Sequence, residues 1–429
     1  MLGCTSRLRK LALGSASLLC FGASGPAFAV DLDMMVSDVD GKAGIIEEFV
    51  NRYKEIEPDV NIRMNLVGYS VIREQLPSQL EAGVGPDLAF VTNLGALQPY
   101  YVDLTPYVDA AVWEEAYGNV LPWYRAGQAE GIYGFHTEMT ATGPYANLTM
   151  FDEAEVELPP PGSSWEDWAE ATQAVMDNAG AYAGMVMDRS GHRFAGPAMS
   201  YGAQYFDADG NIVVDDGFQT FAQMMVDWHA SGLMPPDIWP AVSGSKYANG
   251  NEMFFGQDVP FYMSGSWNVA NVQSSVGDKF DWAVVPAPCG PEGCGVMPGG
   301  TGLVSFQSGD AAQEGAAAKF VAWMGAYDNA KEWYGRTFAI PANAQIQDEG
   351  IDYTAYGATE AVSEGLNTFA ASVAVAAEET PQAFELQGSP FNFVIYNATT
   401  QYLAGVMNGE LTMDEALDKI SAELTENAR

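Results

Sequence analysis

Apolar residues along this chain follow two alternating rhythms: short continuous runs, and longer stretches in which they return every three or four positions. The first rhythm belongs to buried strands and the second to amphipathic helices. Their alternation predicts strands joined by helical crossovers into largely parallel sheets, an α/β fold. The opening unit reads as a strand at Leu32–Val36, a helix at Gly44–Ile56 and a strand at Val60–Val67. In that helix Ile45, Ile46, Phe49, Val50 and Tyr53 share one face, and Pro58 stops it. A second crossover through Val71–Leu80 ends in Gly83-Val84-Gly85-Pro86-Asp87, a turn that delivers the apolar strand Leu88–Val91.

Further along, Ser164 and Asp167 have the spacing of a capping box, opening a helix with Trp165, Trp168, Ala169, Thr172 and Val175 inward. Asp207–Asn211 followed by Ile212-Val213-Val214 reads as a hairpin turn. A calcium loop there would need glycine at its sixth position and glutamate at its twelfth, where this chain has Ile212 and Phe218. Phe218–Ser231 is another helix, closed by Gly232. Thr412 and Glu415 form a second capping box, starting a terminal helix with Leu417, Ile420 and Leu424 inward.

The first residues change the picture. A basic start (Arg7, Arg9, Lys10), an apolar stretch from Leu11 to Phe21 and Ala27-Phe28-Ala29 have the build of a secretory leader, cleaved near Ala29. Export to the periplasm is expected, and Leu19 before Cys20 argues against a lipid anchor there. No later segment has the roughly 20 apolar residues of a membrane-spanning helix. A mature chain of about 400 residues exceeds what one core serves, so two domains are expected.

The chain holds 18 Lys and Arg against 56 Asp and Glu, a net charge of -38, and losing the leader removes only basic residues. Such a surface repels phosphates and excludes a nucleic-acid partner. Of the four cysteines, Cys289 and Cys294 survive cleavage; they share a turn-rich loop and are expected to pair in an oxidising compartment. The three histidines, His136, His192 and His229, are scattered, so neither a metal site nor a cofactor is expected.

Catalytic signatures are missing where they would show. There is no Gly-x-Ser-x-Gly elbow, no His-Glu-x-x-His helix and no phosphate-binding loop. Gly299-Gly300-Thr301-Gly302 precedes an apolar strand instead of opening a helix. With so many acids, no carboxylate pair stands out as a hydrolase dyad. A secreted carbohydrate-active enzyme and an adhesion or sensory module remain as the competing classes.

The order of the segments carries more than any one of them. GIIEEFVNRYKEIEPDVNI, GVGPDLAFV, SSWEDWAEAT and FDADGNIVVDDGFQTFAQMMVDWHASGL are followed by MFFGQDVPFYMSGSWNV, PGGTGLVSF, AAAKFVAWMGAYDNAKEWYGRTFAIP and LAGVMNGELTMDEALDKI. In this order they resemble the family 1 extracellular solute-binding proteins, the maltose-binding-protein-like receptors of ABC importers. The resemblance implies a monomeric, two-lobed periplasmic-binding-protein fold, each lobe a sheet flanked by helices. Its hinged lobes would close on a sugar, polyol or oligosaccharide and deliver it to an ABC permease in the inner membrane. It places the crossings near Gly134–Thr140, Asp281–Pro286 and Gly325–Asp328, with 30–137 and 284–326 in one lobe and 138–283 and 327–429 in the other.

The resemblance also puts Trp267 at a position where an indole faces the cleft, suited to the flat face of a pyranose. Thr92 and Asn93 follow the strand Leu88–Val91 at its carboxyl end, where open sheets bind ligands, and Tyr69 follows the strand ending at Val67 in the same way. Asp38 and Asp40, between the first strand and helix, would accept hydroxyl hydrogens. Gly299 and Gly300 would bring backbone N–H groups close to a ligand, and Phe391 and Asn392 are placed near it. Arg189, His192 and Arg193 follow the apolar run Ala183–Met187 and, with Arg336, would suit an anionic solute such as a uronate or a glycerol phosphodiester.

Overall fold

The computed structural model describes residues 29–37, 41–126, 130–207, 209–240 and 248–427. The leader therefore lies outside the described residues. Among the described residues eight strands form the framework: β1 (Val30–Ser37), β2 (Val60–Val67), β3 (Leu88–Val91), β4 (Gly134–Asn147), β5 (Met185–Met187), β6 (Phe261–Gly265), β7 (Trp282–Val284) and β8 (Pro298–Ser305). Their order is β2-β1-β3-β8-β4-β6-β5, with β7 also paired to β4.

β1 lies parallel to both β2 and β3, the doubly wound start expected from the sequence. The helix Ala43–Ile56 connects β1 to β2 and buries Ile46, Phe49, Val50 and Tyr53, the stripe its spacing predicts. The second crossover is two short helices, Tyr69–Glu74 and Leu76–Glu81. The break has a covalent cause, because Pro77 has no N–H to give to the preceding turn. Both capping boxes form, Ser164 with Asp167 and Thr412 with Glu415.

β4 divides the molecule. Its first part, Gly134–Ala141, pairs antiparallel with β8, which in turn pairs with β3. Its last part pairs antiparallel with β6 and β7, and β6 runs parallel to β5. One long strand thus belongs to two half-sheets, each covered by helices, which gives the two-lobed architecture. Every residue of β4 is buried.

The helix Tyr327–Thr337, expected from the resemblance in the second lobe, packs on the first half-sheet. Trp333 donates its indole N–H to the Thr137 carbonyl at 2.8 Å, and Tyr334 donates to His136 at 2.7 Å. Trp333 also meets the rings of Phe49 and Phe90, each with centroids 5.8 Å apart. The chain leaves this half only after Tyr353, whose hydroxyl is held by the Ala339 carbonyl. Cys289 and Cys294 form a disulfide in a loop tied to the second half, where Cys289 donates to Ser163 and accepts from Trp165. No described helix is long and apolar enough to cross a membrane.

Candidate functional site

A cleft of about 1160 Å³, counted to its open mouth, lies between the half-sheets. Ser37 and Thr92 reach it from the carboxyl ends of β1 and β3, Ser190 from just beyond β5, and Trp267 from just beyond β6. This is the side on which open α/β sheets bind ligands, since the loops there diverge.

On the first side, a register shift in β4 between His136 and Glu138 breaks the alternation of side chains, so that the consecutive Thr137 and Glu138 both line the cleft. Lys42 donates to the Glu138 carboxylate at 2.6 Å, and the Thr301 hydroxyl donates to its other oxygen at 2.9 Å. The hydroxyls of Tyr69 and Thr92 are hydrogen-bonded at 2.9 Å. Gly300 must be glycine: a Cβ there would stand 2.1 Å from the Glu138 carbonyl oxygen and 2.2 Å from the His136 ring.

On the second side, the helix Gly191–Ser200 begins at Ser190, whose hydroxyl caps the His192 N–H. His192 sets Nε2 3.2 Å from the Pro298 carbonyl and its ring edge-on to Tyr396. Burial, then the nearby charges of Arg193 and Arg73, push its pKa down to about 3, so the imidazole is neutral. Arg193 lies with its guanidinium carbon 4.0 Å from the Trp267 ring centre. Behind it sits Asp188, fully buried, with an oxygen 3.6 Å from the Arg193 Nε. Asp188 accepts from the Gly250 N–H, the Tyr262 hydroxyl and the Ser264 hydroxyl at 2.8–2.9 Å. Burial raises the Asp188 carboxyl, opposed first by the Arg193 charge and then by those hydrogen bonds. The carboxylate fixes Arg193, and Arg193 fixes the indole, which remains half-exposed on the cleft wall.

Arg73 joins the two sides. From the helix Tyr69–Glu74 it donates to the Asn397 amide oxygen at 2.9 Å and lies 4.9 Å from the Phe393 ring centre, both on the helix Asn392–Met407.

Of the residues singled out from sequence, Tyr69, Thr92, His192, Arg193, Trp267, Gly299 and Gly300 line this cleft. Asn93 is set back beside Thr92, its amide oxygen buried. Arg189 is buried and does not line the cleft; its backbone N–H donates to the Ala248 carbonyl at 2.7 Å. Arg336 lies off the cleft on the Tyr327–Thr337 helix, engaged by Glu48 at 2.6 Å and Glu332 at 3.3 Å. Phe391 borders a separate groove beside Trp123 and Phe384, and Asn392 is fully buried, its amide donating to the Gln387 carbonyl at 2.9 Å. Asp38 and Asp40 lie outside the described residues. Sequence reasoning passed over Arg73, Lys42, Glu138 and Asp188. Only Asp188 had a local signal, an acid directly after an apolar run. Among the described residues no group of His, Cys, Asp and Glu is placed to hold a metal ion.

A family model for bacterial extracellular solute-binding proteins matches residues 48–361. No curated protein matches the sequence. Among solved structures, an ABC substrate-binding protein from Listeria monocytogenes in complex with cycloalternan has a TM-score of 0.75 at 17% identity, covering 93% of this chain and 99% of that one. The maltose/maltodextrin-binding domain from Bdellovibrio bacteriovorus bound to maltotriose gives 0.74 at 14% identity, covering 93% and 100%. The maltose-bound MalE3 of T. maritima gives 0.71 at 17% identity, covering 93% and 100%. Identities this low establish a shared fold.

Proposed function

The chain belongs to the bacterial extracellular solute-binding family, and from that premise we propose that it is the periplasmic receptor of an ABC importer for a carbohydrate solute. It captures the solute between its lobes and hands it to a membrane permease, as a monomer and without catalysing a reaction. One lobe is built from residues 30–137 and 298–353, with the intervening segment and the C-terminal helices forming the other. The sugars and oligosaccharides bound in the structural neighbours support this reading, and so do the glycines and hydroxyls that line the cleft.

The observation that carries the proposal is the half-exposed Trp267 on one wall of a cleft whose other side presents the hydroxyls of Tyr69, Thr92 and Thr137. A pyranose needs both parts, an aromatic surface for its C–H face and groups that donate and accept for its hydroxyls. Hinge closure would bring the two walls together around it.

Thermal unfolding of the mature chain against a panel of sugars tests this. A ligand at 100 times its Kd stabilises by about 2.7 kcal/mol, a shift of a few degrees. The expected result is a shift with one sugar class, lost in Trp267→Ala. A panel of saccharides that leaves the midpoint unmoved at millimolar concentration, or a shift unaffected by Trp267→Ala, overturns the reading.

A further inference from the structure

The cleft is electrostatically unlike the rest of the molecule. In a chain of 56 acids and 18 bases, its walls carry Lys42, Arg73 and Arg193 against one described carboxylate, Glu138. Glu138 is already engaged by Lys42 at 2.6 Å and by Thr301. Arg193 has Asp188 behind it at 3.6 Å. Among the described residues no acid is hydrogen-bonded to Arg73: its partner is the neutral amide of Asn397, and its Nε is buried with no acceptor among them.

Arginine away from water is costly unless its donors are met. The side chains of both arginines are held by stacking, Arg73 on Phe393 at 4.9 Å and Arg193 on Trp267 at 4.0 Å. Stacking takes up the faces of a guanidinium and directs its hydrogen bonding to the edges, where its planar fork of N–H groups matches a carboxylate. The two come from opposite walls and both lie close enough to His192 to act on its charge.

We propose that the solute is an acidic sugar, a uronate or uronate-containing oligosaccharide. Its carboxylate sits between Arg73 and Arg193 while its ring lies along the Trp267 wall. The inference rests on the reading of this cleft as a sugar site and narrows it. It also gives the carboxylate a part in closure: one anion bridges an arginine from each wall, so binding favours the closed arrangement over the open one.

The test is titration calorimetry of the mature protein with D-galacturonate, D-glucuronate and digalacturonate, beside galactose, glucose and maltose as neutral controls and glucose 6-phosphate as a phosphate control. The expected result is that a uronate binds at least 30-fold more tightly than its neutral counterpart and weakens with added salt. Arg73→Gln should lose at least 30-fold for the uronate, and Arg73→Lys should lose at least tenfold because a point charge does not replace the fork. Arg193→Gln serves as the second variant, and unchanged thermal midpoints of the unliganded variants show that they fold. A neutral sugar that binds as tightly as its uronate and depends on Trp267 but not on Arg73 overturns the acidic-solute inference and leaves the sugar-receptor reading standing. Preference for glucose 6-phosphate overturns the carboxylate class. Binding of none of these compounds overturns both.

Discussion

Acidification is the perturbation whose effect follows most directly from the buried groups. His136 is 1% exposed, in the first part of β4. Its Nδ1 lies 2.9 Å from the Tyr124 hydroxyl, and its Nε2 is buried. Burial pushes its pKa down to about 4, against the opposing pull of the Glu138 carboxylate and of a hydrogen bond to the Gly299 backbone. In the unfolded chain the same imidazole takes a proton near pH 6.5. Below that pH the unfolded state binds the proton and the folded state does not, so stability is lost as pH falls until the folded group titrates near 4. At about 1.4 kcal/mol per pH unit, the loss is about 2 kcal/mol by pH 5 and about 3 kcal/mol by pH 4. His192, pushed down to about 3 by burial and by the Arg193 and Arg73 charges, adds to this with the same sign. The whole chain also sheds negative charge on acidification, which acts the other way, so the comparison is with His136→Gln. Urea unfolding at pH 7, 6 and 5 should show the variant less stable at pH 7 and the gap to wild type closing by about 2 kcal/mol at pH 5. Parallel curves, with the gap constant to within about 0.5 kcal/mol, would refute a neutral buried His136.

Three other outcomes are expected. Gly265→Ala places a Cβ 2.1 Å from the Trp267 ring and 2.5 Å from the Ala141 carbonyl oxygen, so it should cost about 1–3 kcal/mol in urea and, by displacing the indole, weaken solute binding at least tenfold by calorimetry. Asp188→Asn leaves Arg193 without its buried counter-charge and should cost about 3 kcal/mol, read as a fall in the urea midpoint; an unchanged midpoint would mean that Asp188 does not hold Arg193. Reducing the Cys289–Cys294 bridge, which closes a loop of separation 5, should cost about 2 kcal/mol and leave solute affinity within a factor of two, since the loop is off the cleft.

How far sequence reaches is clearest from contrasting elements. The β1-helix-β2 unit and β3 were legible almost to the residue because each buries one face or is uniformly apolar. β4 was not legible as a strand. Its sequence, GFHTEMTATGPYAN, is buried on both faces yet rich in Thr, Gly and polar groups, so no alternation marks it. The neighbouring β6 shows the same two-sidedness: Phe261 and Met263 join one core cluster and Tyr262 the other. In the cleft, Thr92 was within reach because it follows the readable strand Leu88–Val91, whereas Trp267 was reached through the family resemblance. Arg73 was out of reach, because its partner Asn397 is 324 residues away and only tertiary packing makes it a cleft residue. Arg336 shows the converse, a cation that local rarity marked and that Glu48 and Glu332 claim for the surface.

The central claim is that a sugar is held between the two walls against Trp267. The measurement that bears on it most directly is calorimetric titration of the best sugar from the thermal panel into wild type, Trp267→Ala and Thr92→Ala, which probe opposite walls. A single site per chain, weakened more than tenfold by each substitution, is the predicted result; saturable binding that survives both substitutions unchanged would place the solute elsewhere and contradict the account.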